Sequence, residues 1–445
     1  VFPDPQNALP IPQRPDVDRY RKIAKDLVKA CRTASESEDW AEVWSRAWVE
    51  ALVRFSGITI TPSLPVRIES WIEDVAVFAR RQMQDRGRKC ALADAQLVIA
   101  RSHGFQSWTR FVRHLESLQL SGSSDARFEA AADAIVTGDL DGLRRLLGEE
   151  PGLVRARSRR EHGAALLHYV AANGVEGYRQ RTPENVVEIA ALLMEAGAEV
   201  DATAYVYGAK CSALELAATS GHPERAGVLE SLLGFLIDRG AAAEPSLVKS
   251  CLTNGRLRAA EFLARRLSEG GVTVGIAAAA GLGRLDWLQR YFVADGASAP
   301  GLAEPELGDG FLFACQFGRN AAVEFLLSRG VAVGVADARG QTGLHHAAIG
   351  GHAGTVRLLL DHHPPLEAVN AFGGTPLGQA LWSAAHGGDT DAYLEILEAL
   401  VSAGAVLPSR HVPVNARIDA WLEIRGSRAE PEWHWFGERP SRESR

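Results

Sequence analysis

The chain has 445 residues, 46% of them hydrophobic and 23% charged, with a formal net charge of −7, which suits two or three globular domains or one long solenoid. The negative balance removes the electrostatic footprint expected of a nucleic-acid or anionic-membrane binder. Apolar stretches such as 275–283 fall far below the roughly 18 residues that span a bilayer, and no charged segment leading into an apolar one opens the chain, so neither a membrane span nor a signal peptide is expected.

The first third predicts separate helices. Pro15 opens a helix over 16–32, with Val17, Tyr20, Ile23, Leu27 and Cys31 near helical spacing. A second, over 39–55, sets Trp40, Trp44, Trp48 and Leu52 at intervals of four, a stripe expected to be core rather than a ligand wall. Further helices are predicted over 63–80, 91–101 and 107–118, and 121–124 reads as a linker. Segment 95–118, with its turn Gly104, has the length of a helix-turn-helix. Nine Lys and Arg against six acidic residues in 60–120 are thin for phosphate contacts, however, and Trp108 and Phe111 suit a core better than base readout. Five cysteines, at 31, 90, 211, 251 and 315, are odd in number and lack CxxC spacing, which predicts reduced thiols in a cytoplasmic protein.

Beyond residue 125 a period emerges. Thr342, Leu344 and Ala347 recur as Thr375, Leu377 and Ala380, each 33 residues on; Gly318 precedes Gly351, and the run 325–327 precedes 358–360, by the same interval. Earlier turn glycines stand at 138, 174, 221, 255 and 283, giving eight candidate units with insertions and one shortened member. Each unit has a small-residue helix, a glycine turn and an apolar helix such as 228–237 closed by Gly240. The window 340–352, with Val356 and Leu358 to Leu360, resembles the ankyrin repeat. The resemblance implies an all-α ankyrin-repeat solenoid of about eight helix pairs over 125–406, an N-terminal helical domain over 1–120, and a C-terminal helix and tail over 407–445. Segments 92–108, 171–179 and 378–383 further resemble a group of bacterial ankyrin-repeat proteins with a helical region before the repeats. That implies a partner-binding role by analogy.

In such helix pairs, the residue after the TPLH histidine and the two before the turn glycine face the groove. Carried onto this chain, those positions give Asp133 and Thr137, Tyr169 and Asn173, Leu216, Thr219 and Ser220, and Ser250 and Asn254. They continue with Phe313, Gln316 and Phe317, then His346 and Ile349, and end at Gln379 and Trp382. Phe313, Phe317, His346 and Trp382 form the expected anchor cluster. The insertion 175–183, with Tyr178 and Arg179, and the finger 203–208, with Tyr205 and Tyr207, break the repeat and could overhang the groove. His345 occupies the repeat's own histidine position and is expected to tie Thr342 to neighbouring backbone, with His168 its equivalent. His346 faces the groove and is the candidate general base.

No P-loop, GxSxG, HExxH or dinucleotide GxGxxG motif is present. No cofactor is expected, and His362 and His363, adjacent and without a second ligand pair, predict no metal site. The run 433–436, WHWF, is expected to dock the tail or to mark a partner site. The leading reading is a cytoplasmic interaction protein binding a protein or peptide in its concave groove. The alternatives are a hydrolase or acid–base catalyst using His346 in a pocket on that face, with a small-molecule ligand, and DNA binding by 95–118. The sequence carries no signal for oligomeric state.

Overall fold

A computed structural model describes residues 2–12, 14–33, 39–56, 64–84, 90–120, 122–292 and 304–430. The tail motif at 433–436 and part of the 121–124 linker lie outside them. The chain divides into two compact units, Val1–Ala243 and Glu244–Arg445.

The first unit opens with five helices: α1 Val17–Thr33, α2 Trp40–Ser56, α3 Leu64–Gln84, α4 Leu92–Ser102 and α5 Trp108–Gln119. Their boundaries follow from local chemistry, as at α5, where the Ser107 hydroxyl accepts from the Arg110 N–H. Trp40, Trp44, Trp48 and Leu52 are buried in one core with Leu27, Trp71, Phe105 and Phe111, so the intervals of four do mark a core stripe. Phe111, His114 and Leu115 are the buried face of α5, and Trp108 packs against the same core. The start of the would-be recognition helix is therefore spent on packing.

Cys31 and Cys90 form a disulfide, with Cα atoms 5.9 Å apart, which corrects the expectation that all five thiols are reduced. The end of α1 and the segment entering α4 are brought to bonding distance by tertiary packing, across 59 residues that no local spacing rule spans. Among the described residues Cys211, Cys251 and Cys315 are not in a disulfide, and no helix is long and apolar enough to cross a membrane.

Three helix pairs complete this unit. The first is α6 Ser124–Thr137 with α7 Leu140–Glu149; the second is a 3-10 turn Leu166–Ala171 with α8 Val186–Glu195. A hairpin of β1 Thr203–Val206 and β2 Ala209–Ser212 then leads to α9 Ala213–Thr219, which pairs with α10 His222–Arg225 and α11 Leu229–Asp238.

The second unit holds five more pairs. They are α12 Pro245–Thr253 with α13 Leu257–Glu269, α14 Ile276–Gly281 with α15 Leu285–Leu288, and α16 Glu304–Gln316 with α17 Asn320–Ser328, followed by α18 Gly343–Ile349 with α19 Ala353–Leu360 and α20 Pro376–Ala385 with α21 Thr390–Ser402. A final helix, α22, spans Ala416–Ile424. Within this unit α14, α16, α18 and α20 pack in sequence, each on the next, as a stacked repeat requires, because a single pair cannot bury its apolar face. Among the described residues eight such pairs follow one another, seven of them with one of the turn glycines between their members, and the architecture is an all-α repeat fold. Gly138, Gly174, Gly255, Gly283, Gly318 and Gly351 take φ between 67° and 81°, where a side chain would be strained. Gly221 differs, with φ −88°, because the preceding Ser220 makes the turn in an extended conformation.

Candidate interaction faces

In the second unit the 33-residue period places two rows of side chains on successive inner helices. Phe313, His346 and Gln379 occupy one equivalent position on α16, α18 and α20; Gln316, Ile349 and Trp382 occupy another, one turn on. Phe313, Gln316, Phe317 and His346 are half-buried, Gln379 is buried, and Trp382 is 39% exposed. The Trp382 ring stacks on His386 at 4.1 Å between centroids, which holds an exposed indole in one orientation. The loop entering α20 adds exposed Val369 and Phe372.

The loops between pairs are built by a repeated device. Asp337 Oδ1 accepts from the N–H groups of Arg339 and Gln341, and Asn370, one period later, accepts from Phe372 and Gly374. Short polar side chains suit such turns because they replace a backbone acceptor. The two loops are joined by the Ala371 N–H donating to the Arg339 carbonyl at 2.7 Å. His345 supplies the expected tie: its Nδ1 meets the Thr342 Oγ1 at 2.9 Å and its Nε2–H donates to the Gly374 carbonyl at 3.1 Å. His168 Nδ1 likewise accepts from the Ala165 N–H.

The carboxylate beside His346 is that of Asp337, whose Oδ2 lies 3.3 Å from His346 Nε2. Burial would raise the Asp337 pKa, but His346 and the two loop N–H groups outweigh it and hold the carboxyl down at about 2. Sequence could have found this partner, since both residues belong to one repeat unit. The clefts of 820, 480 and 400 Å³ in the molecule are not lined by His346, and no metal-binding cluster occurs among the described residues.

In the first unit the repeat-breaking residues are used internally. Tyr169 is fully buried, edge-on to Phe128 at 6.2 Å. Asn173 donates to the Leu216 carbonyl and Thr219 hydroxyl and accepts from Gly174 N–H and the Tyr207 hydroxyl. The insertion closes over a buried ion network. Glu176 Oε1 meets Arg160 at 2.9 Å and His162 at 3.3 Å, and Arg160 reaches Glu129 at 2.8 Å. Arg179 bridges Glu129 at 2.6 Å and Asp133 at 2.7 Å, and Tyr178 accepts from Arg160. Burial works against both carboxylates, yet the two guanidiniums hold Glu129 at about 2 and Glu176 well below its ordinary value. A Cβ on Gly177 would strike the Gln6 carbonyl and the Arg67 guanidinium, so the N-terminal segment lies directly on the insertion. Tyr178, Arg179 and Arg181 also wall a cleft of 480 Å³ with Pro12, Ser56 and Asp133. Tyr169 and Arg179 are thus buried groups, Arg179 paired with Glu129 and Asp133 and Tyr169 packed against Phe128.

Tyr205 and Tyr207 are the exposed members of this set, each 50% exposed, with the Tyr207 hydroxyl held by Asn173. Strand alternation buries Ala204 and Val206 and turns Tyr205 outward; Tyr207 is exposed in the loop that follows. The two-residue loop at Tyr207 and Gly208, both with positive φ, suits the hairpin twist.

Residues 311–410 match the family model for ankyrin repeats in three copies. Ankyrin repeats are general protein-interaction modules, and this match runs from within α16 through α21 in the second unit. A comparison with curated proteins finds no match.

Proposed function

We propose that the chain is an interaction protein that binds a peptide or protein partner along the inner helices of its second unit, with Trp382, Phe317, Phe313, His346, Gln316 and Gln379 as the contact set. The observation that carries this reading is the two rows of equivalent side chains on α16, α18 and α20, ending at an exposed indole held by His386. Concave faces of solenoids bind extended partners, and aromatic anchors dominate interface energetics. The test is recovery of one reproducible partner by the wild-type chain and its loss in Trp382→Ala with Phe317→Ala, whose circular dichroism and melting should stay unchanged. Equal recovery by both chains would sink the reading. The proximity of Asp337 and His346 supports a second reading, acid–base catalysis, checked by a hydrolase substrate screen in which turnover must vanish in His346→Ala.

A further inference from the structure

The groove between α1 and α2 is untouched by the interaction reading. Arg19 lies over the Phe55 ring at 4.2 Å, joining the first turn of α1 to the last turn of α2, so the helices run antiparallel. Between them is a cleft of 820 Å³, within the range of about 300–1,000 Å³ usual for small-molecule sites.

α2 lines the cleft with exposed Ala47 and Phe55 and half-buried Ala51, set over the buried core residues Trp44, Trp48 and Leu52, the i, i+3, i+4 spacing of one helix face. From Trp44 to Phe55 the strip is about 16 Å long at 1.5 Å per residue. Ala47 and Ala51 are the small residues along this strip. α1 and its approach supply the other wall, lined by Arg14, Arg19 and Lys22 together with Asp16 and Asp26. Among the described residues those three cations make no ion pair; Asp16, which accepts from the Asp18 N–H, keeps its charge and leaves the three cations in excess at its end of the cleft. The antiparallel arrangement gathers the cations at the Phe55 end and leaves Asp26 toward Trp44.

A cationic end joined to an apolar strip matches one shape of ligand. We propose that this groove binds an acyl carboxylate, with its head group held by Arg14, Arg19 and Lys22 and its chain laid along α2 toward Trp44. Charge-assisted hydrogen bonds would orient the carboxylate, and the strip accommodates an extended chain of roughly a dozen carbons at ordinary single-bond lengths.

The experiment titrates the full chain with 1-anilinonaphthalene-8-sulfonate and displaces the dye with dodecanoate, dodecanol or dodecylammonium. Dodecanoate should displace saturably and at least about tenfold more tightly than the other two, the discrimination expected of a charge-assisted contact. Ala47 is exposed, so Ala47→Trp should fill the groove without unfolding the helix and abolish displacement. Arg19→Ala with Lys22→Ala should weaken dodecanoate about tenfold and leave dodecanol unchanged. Absence of saturable displacement at millimolar dodecanoate, equal affinity for the three amphiphiles, or unaltered binding in the charge variant would overturn the proposal.

Discussion

Glu176→Gln isolates the buried network that holds the insertion. The substitution keeps the side chain's volume and removes its charge, leaving Arg160 and Arg179 to share Glu129 and the partly exposed Asp133. Removing one partner of a buried ion pair costs about 3–5 kcal/mol, and the lower end applies because the amide oxygen can still accept from Arg160. About 3 kcal/mol corresponds to roughly a hundredfold change in an opening equilibrium. Suitable reporters are the N–H groups of Arg179 and Gln180, which donate to the Glu176 and Gly177 carbonyls. Hydrogen exchange followed by mass spectrometry should show these amides losing roughly a hundredfold of protection. Amides of α18 in the second unit, such as His346 donating to Thr342, should be unaffected. Unchanged protection at 179 and 180, or an equal loss in α18, would refute the reasoning.

Acid should destabilise the first unit through His103, whose pKa burial lowers from 6.5 to about 3 while its Nδ1–H donates to the Leu9 carbonyl. Between those values the unfolded chain binds the extra proton. The contribution is therefore complete above pH 6.5 and lost on acidification, by about 2 kcal/mol at pH 5. Urea midpoints of the 90–120 region against pH should show this slope, and His103→Gln should flatten it. His345→Ala removes the ties to Thr342 and Gly374 and should cost about 2–3 kcal/mol, measured as lost exchange protection over 370–377.

The helices were legible because each carries its own evidence. The tryptophan stripe repeats every four residues, Ser107 caps α5, and the turn glycines other than Gly221 sit where φ is positive. His345 was legible because the period itself repeats its partners. The insertion at 175–183 was legible as a break in the pattern but not as an interior element. Its charges are matched by Glu129 and Arg160, 47 and 16 residues before Glu176, and its backbone is pressed by Gln6 from the chain's start. Such long-range complementarity leaves no periodic trace. The disulfide was missed for the same reason, since Cys31 and Cys90 meet only after α1 and α4 pack. Asp337 was within reach of the repeat frame, because Asn370 holds the equivalent loop one period later.

The central claim concerns the inner face of the second unit, and site-specific photocrosslinking tests it most directly. A benzophenone side chain is placed at position 382 on α20 and, as a control, at position 357, an exposed position on the outer helix α19. The account predicts one discrete crosslinked partner from 382 and none from 357. No crosslink from 382, or the same products from both positions, would contradict it.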